Sequence, residues 1–312
     1  MKPLLAFTSG DPGGIGPEVA VKTAADRRVR AACRAFFIGP HYAFESAGWK
    51  PELGPLLDTA LEPAPPRRTP KPSARGGKES FSAVKLAVEL ALAGGVDGVL
   101  TAPISKQSWA IAKTGFLGHT EFLRRACKAP EAVMSFISGG IRCALVTEHT
   151  PVAKLKTTIT RARVKRACRV FLESLRPLAG SRNPALGICS LNPHAGDAGE
   201  IGLEEISVIG PALASLRRSG SRLCGPLPPD AAWKRHLAGE WDGIVCMYHD
   251  QALIPLKTAV RAPVAHWTCG LPIVRTSPAH GTAFDIAGQN MADPSSSVEA
   301  ALFAASLCRC RR

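Results

Sequence analysis

The feature of this 312-residue chain that most constrains its fold is a short apolar run that ends in a burst of polar chemistry. Gly243-Ile244-Val245-Cys246 reads as a buried strand and passes directly into Met247-Tyr248-His249-Asp250-Gln251. Two other segments share the design. Cys143 to Thr147 leads into Glu148-His149-Thr150-Pro151, and Leu186 to Ser190 leads into Leu191-Asn192-Pro193-His194-Ala195-Gly196. In open α/β sheets the strand ends are where ligands sit. One histidine after a strand commonly caps a turn. Three of them, each just past an apolar run, suggest a divalent metal with open positions, because neutral imidazole is the commonest protein metal ligand.

The rest of the chain alternates in the same way. Leu4 to Thr8 is strand-like, and Ser9-Gly10-Asp11-Pro12-Gly13-Gly14-Ile15-Gly16 is a tight loop before a helix opened by Pro17-Glu18. Its backbone N–H groups can hold an anion or order a neighbouring loop. It matches neither the dinucleotide fingerprint nor the P-loop. Ala35 to Gly39 is a second strand. Residues 50–76 form a proline-rich excursion that includes Pro63, Pro65, Pro66, Arg67 and Arg68. A helix is expected over Lys78–Ala93, a strand at Gly98–Leu100, and a helix from Ser105 to about Lys113. Gly115 to Glu121 is a glycine-flanked polar loop in which His119 and Thr120 either bind an anion or cap the next helix. Val133–Ile137 and Ile141–Val146 read as a hairpin over Ser138-Gly139-Gly140. Helices follow over Ala153–Leu175 (broken near Thr160), Ile206–Arg218 and Ala231–Ala238. Pro263–Thr268 is a short strand, Gly270–Ser277 an irregular segment carrying Arg275, and Ser296–Cys308 a helix with a frayed, Arg-rich end. This is an α/β chain with mixed sheets.

Composition narrows the function. With 46% apolar and 21% charged residues the chain is globular, large enough for one large or two moderate domains. No apolar run is long enough to span a membrane, and the N-terminal apolar stretch is too short for a signal. The ten cysteines include no C-x-x-C pair, which suits buried, reduced thiols in a cytoplasmic enzyme. Net charge is +14 and the pI about 9.6. The basic residues are dispersed, at Arg27-Arg28, Arg67-Arg68, Arg161 to Arg169 and Arg309 to Arg312. Aromatics are only 6% and do not interleave with them, which argues against a nucleic-acid interface.

A resemblance then covers nearly the whole chain in order. Gly10-Asp11-Pro12-Gly13-Gly14-Ile15-Gly16-Pro17-Glu18, Thr101-Ala102-Pro103-Ile104-Ser105-Lys106, Gly118-His119-Thr120-Glu121-Phe122 and Leu191 to Gly196 carry its first half. Tyr248-His249-Asp250-Gln251 to Lys257, and Gly270-Leu271-Pro272 to Arg275-Thr276-Ser277, carry the second. Together they resemble the 4-hydroxythreonine-4-phosphate dehydrogenase family of vitamin B6 synthesis. His280 to Gln289 is similar to the cofactor loop of isocitrate and isopropylmalate dehydrogenases, whose fold that family shares.

The resemblance implies two α/β domains around an active-site cleft. Residues 1–130 and 266–312 belong to the first, and 131–265 to the second, with the dimer contacts. It implies a homodimer whose active site uses both subunits, NAD or NADP, and one divalent ion (zinc, magnesium or cobalt) per site. His149, His194 and His249 are its implied ligands, one of them from the partner subunit. His119, Thr120, Lys257, His266 and Arg275 match substrate positions, and His280, Gly281 and Asp285 fall in the cofactor loop. At His266 the family often has Asn, so the contact to substrate is altered. Lys257 and Arg275 suit phosphate or carboxylate. Asp250 is a candidate to orient a metal ligand or accept a proton, and Asp230 is a second candidate base. The implied reaction is oxidation of a small phosphorylated alcohol, 4-phosphooxy-L-threonine, followed by loss of carbon dioxide. The alternatives are a sister enzyme acting on threonate or erythronate phosphate, and a non-catalytic anion or nucleic-acid binder.

Overall fold

The computed structural model describes residues 1–65, 70–178, 180 and 183–311. Pro66, Arg67 and Arg68 of the excursion, and Arg312, lie outside the described residues. The chain divides into two compact units, residues 1–130 with 271–312, and residues 131–270.

The first unit begins β1 (Leu4–Thr8), α1 (Gly16–Ala25), α2 (Arg27–Ala32), β2 (Arg34–Gly39), α3 (His41–Ser46) and β3 (Leu56–Asp58). It continues with α4 (Ala74–Leu92), β4 (Gly98–Leu100), α5 (Lys106–Ile111) and α6 (His119–Ala126). The second unit holds β5 (Val133–Ser138), β6 (Ile141–Leu145), α7 (Leu155–Thr158), α8 (Arg161–Leu175), β7 (Ala185–Cys189), α9 (Gly210–Arg218) and β8 (Arg222–Leu227). It ends with α10 (Pro229–Leu237), β9 (Gly243–Cys246), α11 (His249–Thr258) and β10 (Ala265–Cys269). β11 (Val274–Pro278) and α12 (Ser295–Cys310) complete the first unit.

In the first unit the strand order is β3-β2-β1-β4-β11 and every pairing is parallel. Parallel strands are buried on both faces, so they read as continuous apolar runs. Phe7 and Phe37 are wholly buried and their rings pack 5.8 Å apart. Helix α4 starts where Ser73 accepts from the Gly76 N–H. It buries Ala83, Val84, Ala87 and Val88, a helical spacing, against β1, β2 and β4. Helix α12 presents Ala300, Ala301, Ala304 and Ala305 to β11 and β4, small residues that let helix and sheet approach closely.

The second unit is ordered β10-β5-β6-β9-β7-β8. The β5–β6 hairpin and the β10–β5 pair are antiparallel, while β6, β9, β7 and β8 run parallel. Two strand glycines make room for aromatic rings. A Cβ on Gly243 would stand 2.5 Å from Phe171, and one on Gly187 only 2.0 Å from Trp241. Fully burying a ring of that size contributes about 1.5–3 kcal/mol, so Gly243→Ala would displace a main piece of this core.

Two expectations change in the structure. The proline-rich excursion contains a short strand, β3, which extends the sheet beside β2. The segment expected to be irregular around Arg275 is a buried strand, because Val274 pairs with Gly98 and Thr276 with Leu100. The expected break near Thr160 is present: α7 ends at Thr158, and α8 starts afresh where the Thr160 hydroxyl accepts from the Arg163 N–H. Among the described residues no helix is long and apolar enough to cross a membrane. All ten cysteines are free, with only Cys310 exposed and Cys224 partly so.

Candidate active site

The histidines come from strand ends, as their sequence positions require. His149 follows β6 and His249 opens α11 directly after β9, and those two strands are neighbours in parallel register. Their rings therefore meet, with centroids 5.5 Å apart and planes tilted by 35°. Glu148, His149, Thr150, Pro151, Val152, Tyr248, His249 and Asp250 line an open pocket of about 310 Å³. Asp250 Oδ1 lies 2.8 Å from His249 Nδ1. A carboxylate on Nδ1 fixes that proton and presents Nε2 as the ligating nitrogen.

His194 does not join them. Among the described residues no group of three or more His, Cys, Asp or Glu is placed to hold a metal ion. His194 stands on a loop of unusual backbone: His194, Ala195, Gly196, Asp197 and Ala198 all have φ between 44° and 81°. Each non-glycine residue in that region costs roughly 1–2 kcal/mol, so the loop needs a built support. Glu205 supplies it. Its buried carboxylate accepts from the backbone N–H groups of Leu191 and Asn192 (2.8 and 2.9 Å) and from Asn192 Nδ2 (2.9 Å). Gly196 lies so close that a Cβ there would be 2.8 Å from Glu205 Oε2.

Gln251 ties two of the strand ends together. Its amide oxygen accepts from the Met247 N–H at 2.7 Å and its amide nitrogen donates to the Ser190 carbonyl at 2.8 Å. Glu205 and Gln251 were not singled out from sequence for these roles. Gln251 carried a signal, as a polar residue at a position that turned out to be 7% exposed. Glu205 carried none.

His266 is buried on β10, and its ring packs edge-on against Phe136 at 5.4 Å. Phe136 in turn meets His249 at 6.4 Å, so one aromatic ring joins the altered position to the histidine pair. Lys257 is exposed in the last turn of α11. Eight residues separate it from His249, about 12 Å along a helix axis, so it stands outside the histidine pocket. Asp230 is exposed in the first turn of α10, where an acid complements the helix dipole, and it does not line that pocket either.

In the first unit the centrepiece is Arg275. It is 2% exposed on β11, and both its Nε and its Nη2 donate to Thr101 Oγ1, at 3.1 and 2.6 Å. Burial pushes its guanidinium down to about 9. His119 is the first residue of α6, and its ring packs edge-on against buried Trp109 at 5.6 Å. Gly118 occupies the cap position, so Thr120 lies inside the first turn and is not the cap.

The glycine loop after β1 organises its neighbours. Asp11 is wholly buried and accepts from the Gly13 N–H and the Ser108 hydroxyl, at 3.0 and 2.6 Å. The Ile15 N–H donates to the Thr282 carbonyl at 2.9 Å, and a Cβ on Gly14 would stand 2.7 Å from that same oxygen. Farther along, Glu18 Oε1 accepts from the Ala292 N–H at 2.8 Å and from Lys22 at 2.9 Å. The segment that carries His280, Gly281 and Asp285 is thus clamped onto α1 at both ends. A Cβ on Gly281 would meet nothing within 4 Å, which leaves its backbone open to a ligand. His280 Nδ1 lies 3.0 Å from the Gly281 carbonyl, and the Asp285 carbonyl accepts from Gln289 Nε2 at 2.8 Å.

These donors fit the groups the sequence implies. Two adjacent imidazoles, one oriented by a carboxylate, suit a divalent ion that takes its remaining ligands from elsewhere. The clamped loop, with an open glycine backbone beside a strand end, suits a dinucleotide.

The fold and its polar strand ends are those of an α/β protein whose candidate site lies at the carboxyl ends of its strands. The chain belongs to the family of the pyridoxal phosphate biosynthetic protein PdxA, which matches residues 42–304. It is 37% identical to the 4-hydroxythreonine-4-phosphate dehydrogenase of Caulobacter vibrioides, over 97% of each chain. Among solved structures it superposes on the 4-hydroxythreonine-4-phosphate dehydrogenase of Klebsiella pneumoniae with a TM-score of 0.90 at 29% identity, covering 99% of this chain and 98% of that one. The enzyme of the same name from Burkholderia phymatum gives 0.85 at 34% identity, over 98% of each.

Proposed function

We propose that the protein is an NAD(P)-dependent dehydrogenase of pyridoxal 5'-phosphate biosynthesis that oxidises 4-phosphooxy-L-threonine (4-hydroxythreonine 4-phosphate). The product is a β-keto acid that decarboxylates to 3-amino-2-oxopropyl phosphate. The family membership and the full-length relatives of that name support the substrate. The observation that carries the chemistry is the His149–His249 pair with Asp250 on His249 Nδ1.

In this reading His149 and His249 hold a divalent ion, and His194 of a second copy completes the set in a homodimer. When bound, the ion and the nicotinamide supply a Lewis acid for the alcohol oxygen, an electron sink for decarboxylation and an acceptor for the hydride. Asp250 keeps the ligating tautomer of His249. Arg275, with Thr101 behind it, binds the phosphate or carboxylate in a dry setting where a charge-assisted hydrogen bond is strong. His119 and Thr120 bind substrate from the start of α6, and Lys257 on α11 is a further candidate cation for its phosphate or carboxylate. Asp230 serves as an alternative base. The positive net charge draws phosphorylated substrate toward the protein.

His266 favours one second reading. An imidazole offers one donor and one acceptor with a reach different from that of an amide. That difference suits a substrate with a hydroxyl in place of the amine, such as threonate or erythronate 4-phosphate. Steady-state turnover of the three phosphates by purified, metal-loaded protein separates the readings. Turnover of the amino substrate alone supports the first, and turnover of a sugar-acid phosphate alone overturns it.

A further inference from the structure

Phe136 touches two histidines of the second unit, buried His266 on β10 and the strand-end ligand candidate His249. The pairing of β10 with β5 sets Phe136 directly opposite His266, and that of β5 with β6 sets it directly opposite Cys143. Directly opposed residues share a face of the sheet, so His266, Phe136 and Cys143 form a row, and all three are buried. The Phe136 ring stands at 70° to that of His266, with centroids 5.4 Å apart, and at 89° to that of His249, 6.4 Å away. We propose that Phe136 is a positioning residue for His249, and that it needs a ring at position 266 to act as one. The proposal rests on the metal reading above.

The need for such a residue follows from the imidazole itself. Rotation of a histidine ring about its Cβ–Cγ bond is broad and has no sharply preferred angle. A ligand that must present one nitrogen to an ion therefore takes its plane from its neighbours. Asp250 decides which nitrogen carries the proton, yet its side chain is 64% exposed, and an exposed partner holds geometry weakly. His149, at 5.5 Å, is the other half of the pair and needs a fixed partner as much as His249 does. Phe136 differs from both, because it belongs to the packed core, where close contact on all sides holds side chains in one rotamer.

Phe136 is held in turn by its neighbours in the row. Cys143 is wholly buried on one side. On the other side His266 meets it as a flat ring, in the edge-to-face arrangement that aromatic pairs favour. An amide side chain at 266 is shorter and has no ring, so it would leave part of the Phe136 flank without contacts and free the ring to turn. In the proposed reading position 266 thereby acts twice, on substrate through its nitrogens and on the plane of His249 through its ring. Chemistry separates the two actions, since phenylalanine supplies a ring without nitrogens and asparagine supplies polar atoms without a ring.

Competition for cobalt(II) against a chromogenic chelator, with the visible spectrum of the bound ion, tests this on the whole protein without substrate or turnover. Phe136→Leu, which keeps apolar bulk but removes the flat ring, should weaken cobalt(II) about tenfold, the scale seen when a ligand loses its support, and should shift the bands of the bound ion. His266→Asn should weaken it about threefold, whereas His266→Phe should stay within about twofold of wild type. These two leave Phe136 in place and guard against a folding defect in the leucine variant. In the Phe136→Leu background His266→Asn should add no further loss, because the coupling runs through the ring. Unchanged affinity in Phe136→Leu overturns the proposal, and so do equal losses in His266→Asn and His266→Phe, or additive losses in the double variant. If His249→Ala abolishes binding while the Phe136 and His266 variants are silent, only the positioning role falls. If His249→Ala binds cobalt(II) as tightly as wild type, the metal reading falls with it.

Discussion

Arg275 and His249 hold their places in opposite ways. Arg275 is sealed in a parallel sheet, 2% exposed, with its Nε and Nη2 both donating to the Thr101 hydroxyl. The His249 side chain is 38% exposed at the mouth of an open pocket, steadied by the carboxylate of the next residue. In the proposed reading the first is an anion site. Its cation has already lost its water, which is why burial alone pushes the guanidinium down to about 9. In the same reading the second is a part-built metal site, whose rings are oriented and whose ligand set an ion and a further donor would complete. A preorganised group acts through affinity and geometry, whereas an open ligand pair acts only when loaded.

That contrast can be broken by mutation. The largest effect is expected for His249→Ala. Removing half of the pair should cost at least about 10³-fold in kcat, since Lewis-acid stabilisation contributes several kcal/mol. Inductively coupled plasma mass spectrometry should show the ion lost at the same time. A variant that keeps its ion and its turnover would show that the pair is not a metal site. Arg275→Lys comes next. Lysine keeps the charge but cannot reproduce the fork, so kcat/KM for the phosphorylated substrate should fall about 10²-fold, the scale of a charge-assisted hydrogen bond. The loss should persist at saturating metal, and an effect rescued by excess ion would erase the distinction between the two regions.

Asp250→Asn is smaller. The change should weaken ion affinity about tenfold, as loss of a ligand-orienting carboxylate commonly does, while leaving substrate affinity unchanged. Competition with a chromogenic chelator reads the first quantity and calorimetry the second. The smallest effect is expected for Glu18→Gln. The amide still accepts from the Ala292 N–H but loses the Lys22 ion pair, so the Kd for dinucleotide should rise about threefold, in keeping with a partly exposed pair. A change as large as that of His249→Ala would mean that Glu18 touches the chemistry.

Much of this was readable in the residues, for identifiable reasons. The strand ends at His149, His194 and His249 were legible because a fully buried parallel strand leaves an uninterrupted apolar run with an abrupt polar end. The glycine loop and the α1 start were legible because Pro17 and Glu18 follow the rules of helix N-termini. Convergence was not legible. Whether two histidines meet depends on which strands are neighbours, and β6 lies beside β9 with nearly a hundred residues of chain between them. β11 was missed because Arg275 interrupts the apolar pattern, and only its pairing to β4 makes that segment a strand. Glu205 was hidden for a similar reason: its partners are backbone N–H groups at Leu191 and Asn192, and side-chain patterns carry no record of them.

The most direct test is reduction of NAD by purified protein and 4-phosphooxy-L-threonine, with carbon dioxide release measured in the same reaction, before and after chelation. Turnover that disappears on chelation and returns with a divalent ion, with one carbon dioxide released for each NADH formed, is the expected result. Turnover that is indifferent to chelation, or absent from protein shown to carry its ion, would contradict the assignment.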